Sequence, residues 1–137
     1  MVLLLAFALA LDLSSVRGEP KLEKRSEKAL EYAETALDAA RDAYRDGKFQ
    51  QTQEALGEVQ EAVDLSYESL VATGKNPRKD SKHFKKAEKA TREILRRLSG
   101  LRDLMSSVDH AILDPVVDNV TEVHDNLVMG IMTGETQ

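Results

Sequence analysis

The stretch Phe49–Gly74, FQQTQEALGEVQEAVDLSYESLVATG, decides the fold. Phe49, Thr52, Leu56, Val59, Val63, Ser66 and Leu70 recur in it at alternating steps of three and four. Only a helix returns side chains to one face at that interval, so the spacing predicts a helix over 49–73 with one continuous seam. Gly74 suits the left-handed residue that ends a helix. Asn76-Pro77 prevents continuation, because proline disfavours helical backbone in the residue before it.

Upstream, Leu30, Ala33, Leu37, Ala40 and Tyr44 keep the same rhythm and predict a helix over 21–46. Ala29, Ala36 and Ala43 flank that seam, and small residues there let a neighbouring helix approach closely. Asp46-Gly47-Lys48 is a turn too short for anything but an antiparallel hairpin.

Downstream, Phe84, Ala87, Thr91, Ile94, Leu98, Leu101, Met105, Val108 and Ile112 predict a third helix over 80–112, capped by Asp80 or Ser81 and open to a bend at Ser99-Gly100. Asp114-Pro115 reads as the cap and first residue of a fourth helix over 115–132, with Val116, Val120, Val123, Leu127 and Ile131 on one face. The expected fold is all-α: an up-down antiparallel bundle of three long helices and one shorter C-terminal helix, followed by a disordered tail over 133–137. Seams of this period can be covered within one chain or by a second copy, which leaves a homodimer open.

The first 18 residues are a different polymer. Val2 to Leu11 is an unbroken apolar run, too short for a bilayer, which needs about 20 residues, and suited to the core of a secretory signal. Val16-Arg17-Gly18 places residues suited to cleavage before Glu19, although no Lys or Arg precedes the apolar run. The expectation is an exported chain, periplasmic or secreted, with a signal peptide over 1–18 and the bundle over 19–132. The mature chain contains no second apolar segment long enough to span a membrane. With no cysteine, neither a disulfide scaffold nor a thiolate metal site is available, and packing alone must hold the fold. No tryptophan and only 4% aromatic residues make that core aliphatic and alanine-rich.

Charge is distributed in three blocks. Residues 19–74 carry seven basic and thirteen acidic side chains, 75–97 ten basic and three acidic, and 98–137 one basic and seven acidic. A basic helix lying against acidic ones is the plain account, with complementary charge helping to set the pairing. One part resists it. Lys75, Arg78, Lys79, Lys82, His83, Lys85 and Lys86 crowd a turn and the start of a helix, where the positive end of the macrodipole disfavours cations. These seven residues form a candidate site for an anion: a carboxylate, a phosphate, a membrane headgroup or an acidic protein. The net charge of −5 and the lack of a nearby aromatic platform argue against nucleic acid.

The competing site is His110, Asp114, Asp118, Glu122 and His124, which could hold zinc or another divalent ion. It follows no dedicated metal-binding spacing, and a polar helical face explains it equally. His110, His124, Met105, Met129 and Met132 could supply haem ligands in principle, but no haem-attachment motif accompanies them, so no cofactor is expected. The phosphate-binding loops, dinucleotide fingerprints and nucleophile elbows of common enzymes are missing, and surface carboxylates without a cleft make no acid/base pair. A non-enzymatic role follows.

Two resemblances accompany this reading. Ala43-Tyr44-Arg45-Asp46-Gly47-Lys48-Phe49, with Glu54-Ala55-Leu56, resembles the turn of a tetratricopeptide repeat over one hairpin, although no 34-residue repeat follows. Thr73-Gly74-Lys75-Asn76-Pro77-Arg78, with Lys82-His83-Phe84-Lys85-Lys86-Ala87-Glu88, resembles a group of short exported bacterial helical proteins. That second likeness implies a bacterial envelope location and brings no activity with it.

Overall fold

The computed structural model describes residues 13–136. Among them the chain is helical and contains no strand. A short helical stretch over 13–17 leads into α1 (Leu22–Arg45), α2 (Phe49–Ala72), α3 (Lys82–Leu104) and α4 (His110–Thr133). A single 3-10 turn, Ser107–Asp109, precedes α4.

Polar contacts across the first hairpin give its direction. Arg25 meets Ser69, Ser26 meets Ser66 at 2.7 Å and Tyr32 meets Glu58, so α2 runs back along α1. Ala29, Ala33, Ala36 and Ala40 of α1 and Val59, Ala62 and Val63 of α2 have no exposed surface. Alanine lines this seam because larger side chains would force the two backbones apart; overpacking of this kind costs about 1–3 kcal/mol. Every seam residue of 30–40 and 52–70 named from the sequence is buried, so these seams are covered within the single chain. The turns fall where glycine allows them, with Gly47 and Gly74 at φ of 73° and 69°.

The second pair lies on the first. Lys86 and Arg97 of α3 reach Glu27 and Asp38 of α1, so α3 runs parallel to α1. Arg102 and Glu88 of α3 reach Asp114 and His124 of α4, which returns antiparallel. Phe84, Ile94, Leu98 and Leu101 of α3 and Leu113, Val120 and Leu127 of α4 complete one core. Each fully buried Leu or Ile contributes about 1.5–3 kcal/mol by leaving water.

The second half departs from the expected boundaries. α3 stops at Leu104 instead of 112, and Met105 and Ser106 adopt extended backbone. The cause is Tyr44, expected as a seam residue of α1. Its hydroxyl accepts the Ser106 N–H at 3.0 Å and donates to Asp109 at 2.9 Å. Ser106 also donates to Asp109 through its own hydroxyl. This knot fixes the break and turns Val108 outward; at 84% exposure Val108 is no core residue. α4 therefore begins at His110, and at 24 residues it equals α1 rather than being the shorter helix. Pro115 sits inside it, not at its start. The ladder bond lost there leaves only the carbonyl of Ala111 unpaired, on an exposed residue that water can reach.

Two smaller expectations also change. Phe49, the first residue of α2, lies past the last covered turn of α1 and is 43% exposed. Neither Asp80 nor Ser81 caps α3: Ser81 occupies the cap position in helical backbone and makes no side-chain bond to the turn. Of the expected leader over 1–18, residues 1–12 fall outside the described residues. Leu13 and Val16 are buried in the common core, and Arg17 lies 3.8 Å from Glu61. No helix among the described residues is long and apolar enough to cross a membrane.

The break at Met105–Ser106 separates two residues that the sequence pattern treats alike. In urea denaturation Leu101→Ala should cost about 2–5 kcal/mol. Val108→Asp should change stability by less than about 0.5 kcal/mol. A large loss from Val108→Asp would mean that the seam continues through the break.

Candidate functional site

The basic turn lies at the end of the bundle where α2 hands over to α3. Thr73 closes α2 by donating its hydroxyl to the Leu70 carbonyl at 2.6 Å and accepting the Lys75 N–H at 3.2 Å. The Asn76 side-chain oxygen accepts the N–H groups of Arg78 and Lys79 at 2.9 and 3.2 Å, and the Asn76 carbonyl accepts that of Asp80. Pro77 is buried. The end of α4 supports this turn through two glycines. A Cβ at position 130 would lie 3.2 Å from Pro77 Cγ, and one at 134 would lie 2.9 Å from Asn76 Oδ1. Gly134 also has φ of 82°, a backbone that side chains with a Cβ rarely adopt. The sequence reading missed this cradle; its visible signal is a pair of glycines four apart at the end of a helix.

The seven candidate cations divide into two groups. Lys75 pairs with Glu23 at 3.1 Å, and Lys86 pairs with Glu27 at 3.2 Å. His83 lies between the same carboxylates, with Nε2 3.1 Å from Glu23 and Nδ1 3.2 Å from Glu27. The Nδ1 contact lacks the alignment of a hydrogen bond, although the atom is enclosed. The Lys86 ammonium, hydrogen-bonded to Glu27, holds that carboxyl below its ordinary range, and the nearby His83 acts in the same direction. An open groove of about 660 Å³ runs beside this cluster, between residues 20–27 and the turn.

Arg78, Lys79, Lys82 and Lys85 form the second group. All four are exposed and have no acidic partner among the described residues. Asp80 is the one acid between positions 73 and 87, and the first turn of α3 contains none. Cations therefore stand where uncapped amides already carry partial positive charge. Farther along α3 the basic stripe is largely neutralised: Arg92 pairs with Glu88, Arg96 with Glu93 and Arg97 with Asp38.

The residues of the expected metal site are not brought together. His110 contacts the Arg102 carbonyl at 3.0 Å, Asp114 pairs with Arg102 and His124 contacts Glu88 at 2.8 Å. Asp118 and Glu122 are exposed. No group of three His, Asp or Glu side chains among the described residues is arranged to hold an ion. Helical rise explains why: with α4 continuous through Pro115, His110 and Glu122 are about 18 Å apart along the axis. Of the methionines weighed as haem ligands, Met105 is buried in the core, while Met129 and Met132 are 50% and 67% exposed.

In comparison with known proteins, no family model and no curated protein matches this chain.

Two measurements test the charge arrangement. Glu27 is depressed in the fold, so its contribution is complete above the ordinary carboxylate value of 4.5 and is lost as pH falls through its lower folded value. The melting temperature of the wild type should fall more steeply than that of Glu27→Gln between about pH 5 and pH 3. Lys82→Glu should raise stability by about 0.3–1 kcal/mol at low salt by placing an acid in the first turn of α3. A loss of stability would show that Lys82 is paired in solution.

Proposed function

We propose that this chain is a non-enzymatic, exported helical-bundle protein that works by contact, binding an acidic protein or an anionic surface through the basic turn between α2 and α3. One observation carries the reading: Arg78, Lys79, Lys82 and Lys85 remain without acidic partners, although the bundle supplies such partners to Lys75, His83 and Lys86 beside them. If stability alone governed this region, the first turn of α3 would favour acidic residues. A fixed turn bearing free cations instead fits a recognition surface, because the Asn76 bonds and the glycine cradle limit the ordering cost of binding.

Export rests on the apolar run Val2–Leu11 and the residues before Glu19. Loss of a leader over 1–18 would also remove Leu13 and Val16 from the core.

Retention on phosphocellulose at pH 7 in about 0.1 M salt tests the contact, because the Debye length there is about 10 Å and only a focused patch can act. A protein of net charge −5 should be held only through such a patch. Retention is expected for the wild type, with elution in the void after Arg78, Lys79, Lys82 and Lys85 are all changed to Ser. A wild-type chain that passes straight through would refute the reading.

A further inference from the structure

The outward sides of α3 and α4 carry opposite charge in matching order. Lys89, Arg92 and Arg96 of α3 are exposed at steps of three and four, and Asp118, Glu122 and Asp125 of α4 are exposed at steps of four and three. Such spacing keeps each set in one line along its helix. Asp118 and Glu122 have no basic partner among the described residues, and Asp125 has only His124 at 3.4 Å. Lys89 has no acidic partner among them. Arg92 and Arg96 pair with Glu88 and Glu93 of their own helix, yet are 65% and 74% exposed. Pairs so open to water are worth little and can be shared with a new partner.

α3 and α4 are antiparallel neighbours, and the Glu88–His124 and Arg102–Asp114 contacts fix their relative height. At that height Lys89 is level with Asp125, Arg92 with Glu122 and Arg96 with Asp118. A two-fold axis along the bundle keeps every height and lays α3 of each copy on α4 of the other, so each cation meets an acid at its own level. Leu95 lies midway between Glu88 and Arg102 on the line of α3 that meets α4, and Val117 lies between Asp114 and His124 on α4. Both are only partly buried and supply an apolar strip between the charged lines, as interfaces require.

We infer that this chain forms a two-fold homodimer through the α3–α4 face, with Lys89, Arg92 and Arg96 of one copy on Asp125, Glu122 and Asp118 of the other. The core seams are not involved. Two helices about 35 Å long and about 9 Å apart present a face of about 600 Å² per copy. Two such faces reach the lower bound of specific interfaces, about 1,200 Å² in total, so the association is reversible. The axis brings both basic turns to the same end of the dimer. The contact uses none of Arg78, Lys79, Lys82 and Lys85, so the inference stands independently of the basic-turn reading.

Sedimentation equilibrium of the full chain at pH 7 in about 0.1 M salt tests this. The expected mass is twice 15.2 kDa, falling toward one copy in about 1 M salt, where the Debye length is about 3 Å. The triple variants Lys89→Glu/Arg92→Glu/Arg96→Glu and Asp118→Lys/Glu122→Lys/Asp125→Lys should each sediment as one copy, because like charges then face each other. Mixed in equal amounts they should regain the double mass, since an all-acidic face then meets an all-basic one. Glu122→Gln, which keeps the shape of the side chain, should weaken dimerisation about fivefold through loss of two symmetry-related pairs.

A single-copy mass for the wild type would overturn the inference. So would a double mass for either triple variant alone, or a mixture of the two, each folded by circular dichroism, that stays single. If a triple variant fails to fold, Glu122→Gln decides: unchanged dimerisation there would also overturn the inference.

Discussion

The close approach of α1 and α2 along an alanine seam governs the rest of the molecule. With no disulfide and almost no aromatic residues, this chain cannot fix its helices by cross-links or large anchors. It does so by proximity. Ala29, Ala33, Ala36 and Ala40 bring the α2 backbone near enough for the Ser26 and Ser66 hydroxyls to bond inside the hairpin. A rigid hairpin then holds Glu23, Glu27 and Asp38 in fixed positions on α1, and these receive Lys75, His83, Lys86 and Arg97 from the second half. These ion pairs contribute little energy individually, since most are partly exposed. Their value lies in setting the alignment of α3 on α1.

That alignment divides one basic block into paired and unpaired members. The side of α3 turned toward α1 spends its charge inside the protein. Of the charge turned away, Arg92 and Arg96 pair with Glu88 and Glu93 of α3 itself, while Lys82 and Lys85, with Arg78 and Lys79 of the loop before it, have no acidic partner among the described residues. From the sequence alone, internal pairing and an external anion site are competing accounts of the same residues. The structure separates the residues: internal pairing accounts for Lys75, His83 and Lys86, and leaves Arg78, Lys79, Lys82 and Lys85 for the proposed contact.

Period and punctuation made the first half of the fold legible. The seams of α1 and α2 and the glycines at 47 and 74 follow directly from spacing. The second half was harder because the pattern of α3 continues in the sequence past the point where the helix stops. Val108 keeps the rhythm, but a hydroxyl from Tyr44, more than sixty positions earlier, fixes the chain in an extended form at Ser106. Periodicity cannot report a contact that distant. Pro115 misled for a related reason: its cost depends on whether the carbonyl it leaves unpaired is wet, and that is a property of the folded surface. Among the site residues, the cluster was visible as a run of charge. Its division into paired and free members was not, because that depends on which side of α3 faces α1. The cradle of Gly130 and Gly134 depended on two ends of the chain meeting.

The knot at Tyr44 also gives the molecule a head and a tail. It lies with Phe49, Leu104 and Val108 at the end opposite the basic turn, and all three are exposed apolar residues. A helix the length of α1 spans about 36 Å. A small partner, if held by the lysines, could not touch that apolar tip at the same time, and on a flat support gripped by the basic turn the bundle would stand as a post with its greasy cap displayed about 36 Å above the surface.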